Sequence, residues 1–253
     1  MIKLIVSDVD GTILRRGEET VREAVFDAIR ALTDKGIAFC LSSGRGYGSL
    51  RSLFAPVADR VYFACHYGAV YLKDGRVLYH RPIKAEDITR FVRADAYRDK
   101  NVMLCGADRT YLLHCAPAFQ DMLISQGVGE LCRVSSATEI KEPIYKLGAY
   151  CNKRQPVAMP MPSGELRVAY EGDGWIEYVP RYANKGTALT DLQMRLFAGK
   201  YDTLAIGNDH HDIDLMRNAK YTVCMKGSSD ELRRVCEREA EDILAVLEEM
   251  RIC

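Results

Sequence analysis

The segment Met1-Ile2-Lys3-Leu4-Ile5-Val6-Ser7-Asp8-Val9-Asp10-Gly11-Thr12 decides the fold. Residues 2–7 form a short apolar run, which is typical of a strand buried on both faces of a parallel sheet. The predicted strand ends at Asp8, so Asp8 and Asp10 emerge at its carboxyl end. Open parallel sheets bind ligands beyond the carboxyl ends of their strands. The two acids therefore mark a candidate site, although an Asp pair on its own is equally typical of a turn or a helix cap.

The residues after this segment alternate between helix and strand patterns. From Thr20 to Lys35, apolar residues recur at helical spacing, which predicts a helix. Thr20 and Glu23 resemble a capping box at its start, and Gly36 supplies a stop at its end. The remaining elements are predicted as strands at 37–41 and 60–64 and a helix at 44–54. This βαβαβ order predicts a parallel sheet with right-handed crossovers.

The parallel pattern is interrupted after the third predicted strand. Asp74-Gly75 lies between apolar runs at 69–72 and 77–79, and this arrangement predicts a hairpin. Residues 82–182 are then expected to form an inserted α+β module. Its predicted elements are helices near 85–98 and 116–126, strands at 102–105 and 110–114, and a turn-rich stretch at 155–164.

The core pattern resumes beyond the insertion. The predicted elements are helices at 185–197, 211–218 and 229–250, the last capped by Ser228 or Ser229, and strands at 203–206 and 221–224. The chain is therefore expected to be an α/β protein of two domains. Residues 1–81 and 183–253 would form a Rossmann-like core with a parallel sheet, and residues 82–182 an inserted α+β cap.

The composition excludes several classes of partner. Lys plus Arg equals Asp plus Glu, at 35 each, so no net charge favours nucleic acid or an anionic membrane.

The cysteines and the apolar segments bear on the location of the protein. An odd number of cysteines, nine, without CxxC spacing excludes a complete disulfide framework. No cleavage site follows the short N-terminal apolar run, and no stretch approaches the roughly 20 apolar residues that span a bilayer. A reducing, cytoplasmic location is expected.

The string Asp8-Val9-Asp10-Gly11-Thr12 resembles the haloacid dehalogenase superfamily, particularly its Cof-type branch of sugar-phosphatase-like proteins. The resemblance implies that Asp8 is a nucleophile that forms an aspartyl-phosphate. Asp10 would protonate the leaving oxygen and then activate water. Because a carboxylate is repelled by an anionic phosphoryl group, the reaction is expected to need Mg²⁺.

Two further segments match the superfamily. Ser42-Ser43-Gly44-Arg45, after the second predicted strand, matches its phosphate-binding element, with Ser43 as the matched hydroxyl. Lys185 matches the lysine that opens the helix after the cap. The resemblance implies catalytic roles for Ser43 and Lys185 beside Asp8 and Asp10. Ser43, Gly44, Arg45 and Lys185 would bind the phosphoryl group.

The fourth matching segment departs from the superfamily pattern, which reads Gly-Asp-x-x-Asn-Asp. Asn208 stands at the first acidic position and His211 at the usual Asn, whereas Asp212 is retained. The expected Mg²⁺ ligands are Asp8, Asp10, Asn208 and Asp212. Asn208 supplies an oxygen but no charge, so weaker binding of the metal is expected unless Asp209 acts as an outer-sphere acid.

Three other residues, Tyr67, His210 and His211, bear on the candidate site. Tyr67 replaces the Asn of the superfamily's Asn-Gly-Ala and is either structural or alters the entrance to the site. His210 and His211 beside acids suggest a transition-metal site. That alternative is disfavoured here because adjacent residues on a helix do not face one another.

The predicted function is hydrolysis of small phosphate monoesters, such as sugar phosphates or related metabolites. The module at 82–182 would act as a mobile cap that excludes water and selects the substrate. Two alternatives remain open. One is transfer of the phosphoryl group within a sugar phosphate, as in mutases, and the other is a weakly active protein that binds a phosphorylated ligand.

Overall fold

The computed structural model describes residues 1–94, 97, 100–151 and 164–252. Contacts divide the chain into two compact units. The core unit comprises Met1–Gly44, Leu53–Tyr79 and Asn184–Cys253, and the second unit comprises Arg45–Ser52 and His80–Ala183. Apart from Gly164, the predicted turn-rich stretch at 155–164 lies outside the described residues.

The regular elements follow one another along the chain. In order they are β1 (Leu4–Asp8), α1 (Glu23–Asp34), β2 (Ala38–Ser42), α2 (Tyr47–Leu53), β3 (Val61–Cys65), β4 (Val70–Lys73), β5 (Arg76–His80), α3 (Ala85–Arg93), β6 (Asn101–Cys105), β7 (Arg109–Leu113), α4 (Pro117–Ser125), β8 (Glu130–Val134), β9 (Lys146–Tyr150), β10 (Leu166–Gly172), β11 (Trp175–Pro180), α5 (Lys185–Arg195), β12 (Thr203–Gly207), α6 (Ile213–Arg217), β13 (Tyr221–Met225), α7 (Asp230–Arg233), β14 (Arg238–Ala240) and α8 (Ile243–Ile252).

The sheet of the core unit has the strand order β14-β13-β12-β1-β2-β3-β4-β5. All neighbours from β14 to β3 pair in parallel, and β4 pairs with β3 antiparallel. The central strand β1 is buried along its whole length, as its continuous apolar run predicts. The prediction of an α/β fold with a parallel sheet is confirmed.

One face of this sheet packs against α5 and α6. Leu4 and Val6 of β1 share a buried cluster with Leu189 and Leu192 of α5 and Leu215 of α6. Burial of one such side chain contributes about 1.5–3 kcal/mol. This packing fixes the first residue of α5 relative to the carboxyl end of β1.

The second unit contains a sheet with the order β10-β11-β9-β6-β7-β8. Its strands pair antiparallel except for β7 and β8. Residues 45–52 group with this unit, whereas the sequence pattern assigned them to the core. The physical reason is backbone contact, because the Tyr47 N–H donates to the Ala107 carbonyl at 3.0 Å.

The predicted capping box at the start of α1 is wrong. The helix begins at Glu23 and its N-cap is Arg22, whose side chain makes no capping hydrogen bond. Arg22 instead forms a bidentate pair with Asp242, with distances of 2.6 and 2.7 Å. This long-range pair, invisible in the local sequence, holds the start of the helix. Gly36 has a φ of +80° after the helix, as its predicted role as a stop requires.

The prediction of one continuous helix at 229–250 is also wrong, because β14 separates α7 from α8. Ser229 does cap a helix, by accepting from the Leu232 N–H at 3.3 Å, but α7 ends at Arg233. Residues 238–240 form β14, which pairs in parallel with β13 from Val223 to Met225. Pairing at the open edge of the sheet satisfies backbone groups that a continuous helix would have satisfied locally. Strand pairing with β13, and not the helical spacing of apolar residues, therefore determines the structure of residues 238–240.

Two smaller predictions meet different outcomes. Asp74 and Gly75 have φ values of +51° and +73° between β4 and β5, so the predicted hairpin turn is confirmed. The helix expected at 211–218 is shorter, because a 3₁₀ turn at His210–Asp212 precedes α6.

Among the residues described by the structure, no helix combines the length and apolarity needed to cross a membrane.

Candidate active site

Asp8 is the last residue of β1 and is almost completely buried. One carboxylate oxygen, Oδ1, accepts from Lys185 Nζ at 2.7 Å. The other, Oδ2, accepts from Thr12 Oγ1 at 3.1 Å. The loop after β1 forms a tight turn, in which the Val9 carbonyl accepts from the N–H groups of Ile13 and Leu14 at 2.9 Å. This turn brings the Thr12 side chain next to Asp8. Both oxygens of Asp8 are thus held in place.

Lys185 connects Asp8 to the second buried acid, Asp212. Its ammonium group donates to Asp212 Oδ1 at 2.6 Å, and its side chain is 4% exposed. A lysine at the first position of a helix is disfavoured by the helix dipole, so the two carboxylates offset this cost. Burial lowers the pKa of Lys185, but Asp212 and Asp8 outweigh it and hold the pKa above its usual range.

Asn184 fixes the helix end that carries Lys185. The Asn184 side chain caps α5 by accepting from the Thr187 N–H at 2.8 Å. Thr187 Oγ1 accepts in return from the Asn184 N–H at 3.3 Å. The spacing Asn184-x-x-Thr187 is that of a capping box, so the sequence already carries the signal for this reciprocal pair.

Asp212 is fully buried at the end of the loop after β12. Its Oδ2 accepts from the N–H groups of Asn208 at 3.0 Å and Asp209 at 3.2 Å. A Cβ atom on Gly207 would lie 2.6 Å from the Asp212 carboxyl group. Gly207 is therefore required for the close approach of the acid to its own loop.

Asn208 lies against the loop after β1. A Cβ atom on Gly11 would lie 1.9 Å from Asn208 Nδ2, and Gly11 has a φ of +88°, so the position requires glycine on both counts. Asp209 faces differently, because its Oδ1 accepts from the His210 N–H at 2.5 Å and lies 2.6 Å from His210 Nδ1. In the structure, the Asp209 carboxyl is thus paired with His210.

Asp10 contacts the buried Ser43 in the same cluster. Asp10 is exposed, and its Oδ2 accepts from Ser43 Oγ at 3.4 Å. Ser43 is held at the end of β2, since its N–H donates to the Ala64 carbonyl at 2.9 Å. Gly44 follows beneath the ring of Tyr67.

Arg45 belongs to the second unit. There, its Nη1 donates to Ser49 Oγ at 3.4 Å. The structure thus brings Asp8, Asp10, Ser43 and Lys185 together within the core unit and assigns Arg45 to the other. The contact of Arg45 with a phosphoryl group stays a prediction.

The cluster has an excess of negative charge that suits a divalent cation. Asp8 and Asp212 share the ammonium group of Lys185, and Asp10 adds a third carboxylate whose charge acts on Asp8. Burial raises the pKa of Asp8 above its usual range, Lys185 opposes this rise, and Asp212 and Asp10 add to it. Carboxylate and amide oxygens are the ligands that Mg²⁺ prefers. The donor set, completed by Asn208, therefore fits this ion.

His210 and His211 do face one another, contrary to the expectation for adjacent residues on a helix. Their ring centroids are 3.8 Å apart, because the residues lie in a 3₁₀ turn and not within an α-helix. With Asp209 they offer three ligand atoms within 4.8 Å of one another, at exposed and half-exposed positions. Burial and the neighbouring His210 lower the pKa of His211 to about 4, so its ring is neutral at neutral pH.

Comparison with known proteins covers almost the whole chain. Residues 5–242 match the family of haloacid dehalogenase-like hydrolases. The 5-amino-6-(5-phospho-D-ribitylamino)uracil phosphatase YbjI of Escherichia coli (strain K12) is 22% identical over 90% of this chain and 86% of its own length. The HMP-PP phosphatase of Yersinia pseudotuberculosis serotype O:1b (strain IP 31758) is 22% identical over 92% of this chain and 87% of its own length.

A solved structure shares the fold. The sugar phosphatase BT4131, of HAD subclass IIB, superposes with a TM-score of 0.81 at 13% identity, covering 99% of this chain and 100% of its own. The match of the family to 5–242 includes the loop of Asp8, Lys185 and the loop of Asp212. The chain therefore belongs to the family of haloacid dehalogenase-like hydrolases.

Proposed function

We propose that this hydrolase cleaves small phosphate monoesters in two steps, through an aspartyl-phosphate on Asp8. The observation that carries the proposal is the contrast between two acids two residues apart. Asp8 is buried and held by Lys185 and Thr12, whereas Asp10 is exposed beside it. A fixed carboxylate suits attack on phosphorus, and an exposed one suits proton exchange with substrate and water.

In the first step, a carboxylate oxygen of Asp8 attacks the phosphorus atom and the bond to the leaving oxygen breaks. Asp10, protonated at this stage, gives its proton to that oxygen, so the alcohol departs neutral. Lys185 and Thr12 limit the motion of the Asp8 carboxylate, which reduces the entropy lost on reaching the transition state.

In the second step, water attacks the phosphorus atom of the aspartyl-phosphate. Asp10, now a carboxylate, takes a proton from this water, and the Asp8 carboxylate leaves. Inorganic phosphate is released and both acids return to their initial protonation states. The exposure of Asp10 supports its contact with water in this step.

We infer that Asp8, Asp10, Asn208 and Asp212 hold Mg²⁺. The bound ion would supply positive charge that offsets repulsion between Asp8 and the phosphoryl oxygens. Ser43, the Gly44 backbone, Arg45 and Lys185 would bind those oxygens. Burial of Ser43 and its fixed backbone at the end of β2 support its part in this set.

The substrate class is proposed from the relatives. Two of them are named as phosphatases of a phosphoribitylamino-uracil and of HMP-PP, and a third as a sugar phosphatase. We propose a small phosphorylated metabolite for this chain as well. Residues 82–182 would form the cap that excludes water and selects among such substrates.

Release of inorganic phosphate from a panel of phosphorylated metabolites tests the proposal. Wild type should be active with Mg²⁺ and inactive after chelation with EDTA. Asp8→Asn should lose at least about 10³-fold in turnover, because an amide is not a nucleophile at phosphorus.

Asp27→Asn, on the exposed side of α1, is the matched control and should retain wild-type turnover. Turnover by Asp8→Asn at the wild-type rate would rule out attack by Asp8.

A further inference from the structure

The residues that follow β3 adopt an unusual backbone conformation. His66, Tyr67 and Gly68 have φ values of +50°, +56° and +86°, so three successive residues are left-handed. Glycine adopts this conformation readily, but His and Tyr have a Cβ atom that clashes with the backbone there. We refer to His66–Gly68 as the left-handed turn. Its steric cost must be offset by the contacts that it makes.

The first of these contacts is to the predicted phosphate-binding loop. The Tyr67 N–H donates to the Ser43 carbonyl at 3.0 Å. The Tyr67 ring covers Gly44, since a Cβ atom on Gly44 would lie 2.5 Å from Tyr67 Cζ and 2.8 Å from its hydroxyl. A side chain at position 44 would displace the ring, so the absence of a Cβ at Gly44 allows the ring to lie against the loop.

The second and third contacts are to the other segments of the site. The Tyr67 ring lies 5.4 Å from the ring of His211, with an angle of 59° between their planes, and His211 directly precedes Asp212. Gly68 approaches the carbonyl of Asn184, where a Cβ atom would lie 2.4 Å from the oxygen. Asn184 caps the helix that begins with Lys185.

We propose that Tyr67 is a positioning residue whose ring sets the separation between the Ser43–Gly44 loop and the loop that carries Asp212. The inference rests on the proposed phosphatase function, because these loops bind the phosphoryl group and the metal in that function. The ring is a rigid spacer with a contact on each side. A displacement of about 1 Å between such segments costs on the order of 100-fold in rate.

Substitutions at Tyr67 separate positioning from packing. Asn tolerates the left-handed conformation, so Tyr67→Asn removes the spacer and relieves the steric cost. The expected result is a loss of about tenfold or more in kcat for p-nitrophenyl phosphate, with an unfolding temperature equal to or above that of wild type. Tyr67→Phe, which keeps the ring, should recover most of the lost turnover. Tyr201→Asn, at an exposed tyrosine, is the matched control.

A second variant tests the same contact from its other side. His211→Ala leaves the left-handed turn intact and should also lower kcat. Tyr67→Asn and His211→Ala remove the same contact between the two rings. The fold loss in kcat of the double variant Tyr67→Asn/His211→Ala should therefore be clearly smaller than the product of the two single losses.

Two results would overturn the proposal. One is wild-type kcat in Tyr67→Asn or His211→Ala. The other is a fall in unfolding temperature that accompanies the loss of activity in Tyr67→Asn and in Tyr67→Phe alike, which would identify Tyr67 as a packing residue.

A second measurement uses the same variants. Their affinity for inorganic phosphate is determined by calorimetry in the presence of Mg²⁺. Tyr67→Asn should weaken phosphate binding by about fivefold or more, since the Ser43–Gly44 loop is displaced. A wild type that binds phosphate but hydrolyses no ester would refute the proposed function alone. Unchanged phosphate affinity in Tyr67→Asn would refute the role of Tyr67 alone.

Discussion

At the scale of single residues, the chemistry depends on where carboxylates are buried. Asp8 and Asp212 are both buried and share one lysine, whereas Asp10 is exposed. Removing one partner of a buried charged pair leaves the other uncompensated, typically at a cost of about 3–5 kcal/mol. Lys185→Met should therefore both destabilise the fold and abolish turnover, and Lys185 would be a poor residue with which to separate these roles.

Asn208 offers a cleaner test of the proposed metal site. Asn208→Asp keeps the shape of the side chain and adds one negative charge beside Gly11. We expect Mg²⁺ affinity, measured by calorimetry, to rise about tenfold because the number of charged ligands sets the affinity of such sites.

Asp209→Asn is the matched control for this substitution. Asp209 is paired with His210, so the control should leave Mg²⁺ affinity unchanged. A large loss of affinity in Asp209→Asn would instead show that Asp209 compensates for the missing charge at position 208.

At the scale of elements, Asp242 joins three segments of the core unit. Its carboxylate pairs with Arg22 at the start of α1 and with Arg15 in the loop after β1, and it accepts from the Leu244 N–H in α8 at 3.1 Å. Hydrogen bonds from Arg22 oppose the effect of burial and hold the pKa of Asp242 well below its usual range. Asp242 thus links α1 and the loop after β1 to α8.

This depressed pKa predicts a dependence of stability on pH. The folded state binds a proton on Asp242 less tightly than the unfolded state does, so the contribution is present above the unfolded pKa near 4 and falls as the pH drops below it. Asp242→Asn should lower the free energy of unfolding by about 1–3 kcal/mol at pH 7. The difference between the two proteins in free energy of unfolding, measured by urea titration, should shrink steadily as the pH is lowered from about 4 to about 2.

Asp27→Asn serves as the control for this element as well, since Asp27 forms an exposed pair with Arg30. Its urea midpoint should match that of wild type at both pH values. An equal loss in Asp242→Asn at low and neutral pH would show that packing, and not charge, accounts for the effect.

At the scale of the whole molecule, the proposed ion should act as a stabilising ligand of the core unit. A ligand that binds only the folded state at 100 times its Kd adds about 2.7 kcal/mol. For a chain of this size, that corresponds to a rise in the unfolding temperature of about 5–10 °C. We expect this rise with Mg²⁺ in wild type and its absence in Asp212→Asn, measured by calorimetric scanning. An equal rise in Asp212→Asn would place the ion elsewhere.

The local sequence was sufficient to predict most of the core. A continuous apolar run predicts β1 and hence the place of Asp8, because a strand buried on both faces has no polar alternation. Asp74-Gly75 and Gly36 predict their turns because few residues adopt a left-handed backbone. These features depend on neighbours in the chain, so sequence patterns report them directly.

Only the tertiary structure decided the remaining features. β14 forms because β13 leaves an open edge, and Arg22 pairs with Asp242 where a local cap was expected. The ring of Tyr67 contacts that of His211, although the two residues are 144 positions apart in the sequence. The resemblance to the family predicted Asp8, Lys185 and Asp212 as partners, but not how one ammonium group joins the two acids. Contacts between residues far apart in the chain depend on packing of the whole sheet, and no local pattern of residues encodes them.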